Sequence, residues 1–284
     1  MGEGSTLPRD AFGIVRLPPL MATVSPLRAA ASASSPAPSA VSLARRVVAE
    51  ALGTALLIAV VIGTGIHANR ISSGDATWTL LAQSLAGGAG LLALLTVFAP
   101  VSGAHLNPAV TLSAALQGGL RAREALAYVA AQTVGAALGV AAMHAMYGMA
   151  VWSAGTHAAT GGALWWSEAL ATFGLIGAGI ACGRHAPRHL PAVVAAYIAA
   201  GYWFTSSSSL ANPALAFACA LTDGPSGIRP EDVPGYMLAQ LAGALLATPL
   251  FRWLAGAEPA RAPRPVAART DALPMRRQAT GRSA

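Results

Sequence analysis

The chain has 284 residues, of which 55% are apolar and only 10% charged, and its formal net charge of +7 is carried by arginine alone, because lysine is absent. A soluble domain carries about 25% charged residues, so the composition argues against an ordinary water-soluble globule and points to lipid as the solvent. A basic balance is also compatible with nucleic-acid binding, but here the arginines sit between apolar blocks and at the two ends. Membrane orientation accounts for that placement better, and no nucleic-acid partner is expected.

Residues 1–42 are rich in Pro, Ala, Ser and Gly, show no hydrophobic period, and read as a disordered cytoplasmic tail. Six apolar blocks follow, at about 43–66, 78–99, 123–146, 163–183, 190–208 and 233–255. Each approaches the ~20 residues that a helix needs to cross the hydrocarbon core, where only closed backbone hydrogen bonding is viable. Two shorter apolar stretches, 107–117 and 212–221, are too short to span and are expected to be re-entrant. Residues 256–284, rich in Pro and Arg, read as a second disordered cytoplasmic tail.

With the N-terminus inside, 16 of the 18 arginines fall on the cytoplasmic side, leaving only Arg70 and Arg229 outside. This favours both termini in the cytoplasm and an even number of spans. Cys182 and Cys219 lie within or at the edge of apolar segments and read as small hydrophobes. His67, His144, His157, His185 and His189 read as loop or helix-end residues. No metal site, phosphate loop or nucleophile–base pair emerges, so neither an enzyme nor a cofactor is expected.

The chain repeats itself. Glu50-Ala-Leu-Gly-Thr54 in the first block is matched by Glu168-Ala-Leu-Ala-Thr172 in the fourth. The short stretches carry Asn107-Pro108-Ala109 and Asn212-Pro213-Ala214, and Gln132-x-x-Gly135 is matched by Gln240-x-x-Gly243. Three spans per half invert the second half relative to the first and bring the two short stretches together at the midplane. The expected fold class is therefore an all-α membrane protein: six transmembrane helices plus two re-entrant half-helices in an inverted repeat. The channel domain covers 43–255, with repeats at about 43–146 and 163–255.

Asn is a favoured N-cap and Pro suits the first helical position, so each Asn-Pro-Ala starts a half-helix inside the membrane. Each helix start behaves like roughly +0.5 charge. Two of them facing one passage would cost a cation on the order of 4 kcal/mol at ~4 Å and an effective dielectric of ~20. An uncharged solute escapes that cost and can accept hydrogen bonds from the Asn amides. Diameter, hydrogen-bonding groups and half-helix dipoles are the general terms of selectivity in such pores.

The segment Ser102-Gly-Ala-His105-Leu-Asn107-Pro-Ala-Val-Thr111 resembles the first signature of the major intrinsic protein family, the aquaporins and glycerol facilitators, and Asn212-Pro213-Ala214 resembles the second. The resemblance covers about 43–255. It implies an aquaporin-like homotetramer in the cell membrane with one pore per protomer, in which Glu50 and Glu168 anchor the re-entrant loops and His105 lies near the pore mouth.

The chain departs from the family pattern where an Arg usually follows the second motif: that position is Leu215. Carried over by spacing, the other constriction positions are Gly87, Ala200 and Ser209, giving a wide and weakly polar selectivity filter. The pattern resembles bacterial members linked to arsenite movement. The expected cargo is a small neutral solute such as glycerol, urea or arsenous acid, with water as a further candidate, and the hydroxyl run Thr205–Ser209 is a candidate aid to desolvation. Three other readings compete. These are a proton-coupled secondary transporter using Glu50 and Glu168, a water-selective aquaporin, and a junction protein with a closed pore.

Overall fold

The computed structural model describes residues 41–256. The two expected tails lie outside these residues, except for residues 41, 42 and 256. Among the described residues there is no strand. Eight α-helices appear in chain order: α1 Leu43–Ile71, α2 Ala76–Ser102, α3 Pro108–Leu116, α4 Ala122–Met146, α5 Gly162–His185, α6 Leu190–Phe204, α7 Pro213–Ala220 and α8 Val233–Leu254.

α1, α2, α4, α5 and α8 are long and apolar enough to cross a bilayer. Their outward faces carry exposed apolar side chains such as Leu85, Leu126, Leu170 and Leu238. Water would penalise that surface, whereas lipid does not. α3 and α7 have 9 and 8 residues and cannot span. α1 outruns its apolar block and continues through His67 and Arg70 to Ile71.

The fifth block is shorter than expected. α6 has 15 residues and stops at Phe204, not at 208. Thr205 turns its hydroxyl back onto Gly201 O at 2.7 Å, and the following serines bond to α5: Ser206 Oγ donates to Ala163 O at 3.4 Å and Ser207 Oγ to Glu168 Oε1 at 2.5 Å. Side-chain-to-backbone bonds of this kind compete with helix continuation. A 3₁₀ turn, Pro187–His189, precedes α6.

Helix ends follow local chemistry. Asp75 caps α2 by accepting from Trp78 N at 3.0 Å. α2 ends where Gly103 adopts φ 89°, a left-handed conformation that suits glycine.

The repeat is visible in the packing. α1 lies against α4 as α5 lies against α8, and α2 bridges the halves through α6. Both tight pairs depend on a missing side chain. A Cβ at Gly135 would run into the Ala51 carbonyl oxygen, and one at Gly243 into that of Ala169. Small residues of this kind allow membrane helices to approach backbone to backbone.

Candidate functional site

Both half-helices begin as their residues dictate. Asn107 Oδ1 accepts from Ala109 N at 2.8 Å and Asn212 Oδ1 from Ala214 N at 2.9 Å, with Pro108 and Pro213 at the first helical position. The two starts meet. Asn107 Nδ2 donates to Ala211 O at 2.8 Å, and Asn212 Nδ2 donates to Leu106 O at 2.9 Å. An amide nitrogen has two hydrogens, so each Asn spends one on the opposite loop and keeps one free.

The loops that deliver these starts are strained alike. Ala104 and Leu106 have φ of 47° and 48°; Ser209 and Ala211 have 53° and 46°. Non-glycine residues enter this left-handed region only at some cost, and each loop is held there by a buried carboxylate. Glu50 Oε1 accepts from Ser102 Oγ at 2.6 Å and His105 N at 2.9 Å, and its Oε2 from Leu106 N at 2.7 Å and Gln132 Nε2 at 2.8 Å. Glu168 Oε1 accepts from Ser207 Oγ at 2.5 Å and Leu210 N at 2.9 Å, and its Oε2 from Ala211 N at 2.8 Å and Gln240 Nε2 at 2.7 Å. Each carboxylate therefore faces four donors of the same kinds in the same order. The sequence places Ser102 in the first signature segment and Ser207 in the hydroxyl run but not on the carboxylates, although each stands five residues before its Asn, a repeat signal that pairs them.

A cavity of about 530 Å³ runs past the meeting point. At one end it is lined by Gln117, Arg184 and Arg252; its lining passes His105, Asn107 and Asn212 and reaches Gly87, Ser209 and Leu215 toward the opposite, loop-bearing face. Its lining includes the loop residues 103–107 and 209–212 and aliphatic residues such as Leu91, Ile176 and Val194. His105 lines the cavity with Nδ1 3.1 Å from Thr111 Oγ1 and its ring edge-on to Tyr128.

Ala200 is the spacing-based assignment that the structure corrects. It is exposed on α6 and does not line the cavity. The residue that does is Tyr202, which is buried, with its hydroxyl 3.3 Å from where a Cβ at Gly87 would stand. Counting back from Asn212 ignores how α6 ends. A shift of two residues turns a helix by about 200°, enough to exchange its lumen and outer faces. The absent side chain at Gly87 thus makes room for a phenol. No hydrogen bond to the Tyr202 hydroxyl is formed among the described residues, and Ser209 Oγ is likewise without a partner.

The hydroxyl run is corrected too. Thr205, Ser206 and Ser207 spend their hydroxyls on protein acceptors, and within the run it is Ser209 that lines the cavity. His144 is a helix-end residue, as expected, but a fully buried one. Its Nδ1 is 2.7 Å from Ala150 O and its Nε2 2.8 Å from Thr222 Oγ1, so it pins two surface loops together. Cys182 and Cys219 are both free thiols, Cys219 being buried.

Membrane-crossing helices, two half-helices meeting start to start, and a cavity running past that junction define a multi-pass membrane channel. The chain belongs to the major intrinsic protein family, whose pattern its residues 38–205 match. It is 48% identical to aquaglyceroporin AqpS of Rhizobium meliloti (strain 1021) over 77% of this chain and 93% of that protein. It is 32% identical to aquaporin TIP1-2 of Zea mays over 73% of this chain and 85% of that one. The aquaglyceroporin structure from Plasmodium falciparum shares the aquaporin fold, with a TM-score of 0.56 over 76% of this chain and 97% of the other at 21% identity. These relatives are channels, not enzymes.

Proposed function

We propose that this channel passes uncharged solutes larger than water (glycerol, urea or arsenous acid) down their gradients, through a constriction formed by Gly87, Tyr202, Ser209 and Leu215. The observation that carries this reading is the chemistry of that constriction. Leu215 contributes no charge, and Tyr202 brings a hydroxyl that makes no hydrogen bond among the described residues. A hydroxylated solute can bond to the Tyr202 phenol and to the free amide hydrogens of Asn107 and Asn212, and lay its carbon or metalloid skeleton along aliphatic side chains such as Leu91, Ile176 and Val194. The likeness to a protein named an aquaglyceroporin at 48% identity points the same way.

Four donors on each buried carboxylate favour a passive channel over proton coupling. Both oxygens of each carboxylate are engaged in holding a re-entrant loop, which is a structural role. In this reading the protein sits in the cell membrane as a homotetramer over residues 43–255, with both termini cytoplasmic, because most of its arginines lie on that side.

Stopped-flow light scattering on proteoliposomes tests the assignment. Glycerol, urea and arsenous acid are expected to equilibrate faster than through protein-free membrane. Fast water with all three solutes at the protein-free rate would instead identify a water-selective pore.

A further inference from the structure

On the loop-bearing side of the constriction, the last cavity-lining residues on α1 and α2 are Val61 and Gly87. One helical turn further in that direction stand Gly65 on α1 and Gln83 on α2. The buried Gln83 side chain donates from Nε2 to Val61 O at 3.2 Å and to Ser226 Oγ at 2.6 Å. Ser226 belongs to the loop 221–229 that follows α7, and it reaches α1 as well. A Cβ at Gly65 would lie 2.7 Å from Gln83 Nε2 and 3.0 Å from Ser226 Oγ. The loop therefore inserts a side chain between α1 and α2, where the passage would continue outward.

The two ends of this loop are fastened to the neighbouring loops, and its tip is held more sparsely. Thr222 Oγ1 bonds to His144 Nε2 at 2.8 Å, Ile228 N to Cys219 O at 3.0 Å, and Arg229 N to His157 O at 3.0 Å. Between them, the tip 223–227 contains Gly224 and Gly227. Among the described residues, the Gln83–Ser226 bond is the one hydrogen bond joining that tip to a long helix. Asp223 bonds instead to Thr156 and Ser153 in the neighbouring loop, at 2.8 and 3.0 Å.

We propose that the tip 223–227 is a lid over the loop-bearing mouth of the passage, and that the Gln83–Ser226 hydrogen bond is the latch that holds it shut. The inference rests on the channel reading but not on the identity of the solute. Both partners can bond to water once released, and if the tip swings about Asp223, which keeps its bonds to Thr156 and Ser153, opening costs the net value of a single hydrogen bond. That value shifts an open–closed equilibrium by about fivefold. Gly65 is the clearance: with no side chain there, the latch can seat.

The test compares wild type, Ser226→Ala, Gln83→Leu and Gly65→Ala in proteoliposomes, with thermal unfolding in detergent confirming that each is folded. Ser226→Ala and Gln83→Leu remove the latch, and Gly65→Ala wedges it apart. Each folded variant should raise water and glycerol permeability together by about twofold to fivefold, with the ratio between solutes unchanged. Unchanged or lower permeability in folded Ser226→Ala and Gln83→Leu overturns the lid, and so does a shift in the solute ratio, which would place these residues in the constriction. Protein that is impermeable as wild type and in every variant overturns the channel reading, and the lid with it.

Discussion

Replacing Glu50 with Ala will abolish solute permeability and sharply lower thermal stability, and Glu168→Ala will do the same from the other half. The Glu50 carboxylate accepts from Ser102 Oγ, His105 N, Leu106 N and Gln132 Nε2. The Glu50 side chain is fully buried, as is that of Gln132, so water does not readily replace it. A buried donor left unpaired costs about 1–3 kcal/mol. Four of them together cost on the order of 5 kcal/mol even if part of the loop relaxes. The backbone that loses its partners is also the one held at positive φ at Ala104 and Leu106. Once released, it has no reason to keep Leu106 O in place for Asn212 Nδ2, and the junction between the half-helices opens. Glu50→Gln keeps the shape and one accepting oxygen but replaces the other with an NH2 that faces donors, so it should fall between wild type and Ala in both readouts. Wild-type melting and permeability in Glu50→Ala would mean that the loops are held by something else.

Leu215→Arg has the next largest expected effect. Leu215 is 6% exposed and lines the cavity, as do Gly87, Tyr202 and Ser209. A guanidinium there brings a fixed charge and five donors into a cavity that the Tyr202 phenol also lines. At ~4 Å and an effective dielectric of ~20, that charge raises the barrier to a cation by about 4 kcal/mol. For neutral solutes the loss is steric, and it grows with solute size. Glycerol and arsenous acid permeability should fall by about tenfold, the effect of roughly 1.4 kcal/mol on a barrier. Water should fall less, and any proton leak should also fall. Equal permeability of wild type and Leu215→Arg to every solute would remove Leu215 from the constriction.

Much of this site is legible in the sequence because its determinants are local or repeated. An Asn-Pro pair caps a helix whatever surrounds it, and two copies at matched places in an inverted repeat have to meet. Glu50 and Glu168, with Gln132 and Gln240, stand out because the order is kept twice. Other features depend on rotation and on distant neighbours. Ala200 and Tyr202 are two residues apart, and which of them faces the lumen depends on how α6 is rotated against α2, where Ser84 bonds to Ala199 O and Trp203 Nε1. His144 and Thr222 are 78 residues apart, and Gln83 and Ser226 are 143 apart. Neither pair carries a periodic or repeated signal, so only the folded chain brings them together.

The account stands on uncoupled passage of a neutral solute between Asn107 and Asn212. The direct measurement is glycerol flux into wild-type proteoliposomes at a fixed glycerol gradient, with and without an imposed pH gradient. The predicted result is one rate under both conditions, faster than bare lipid and ending at equal concentrations inside and out. Accumulation beyond equality driven by the pH gradient, or a rate no different from bare lipid, would contradict it.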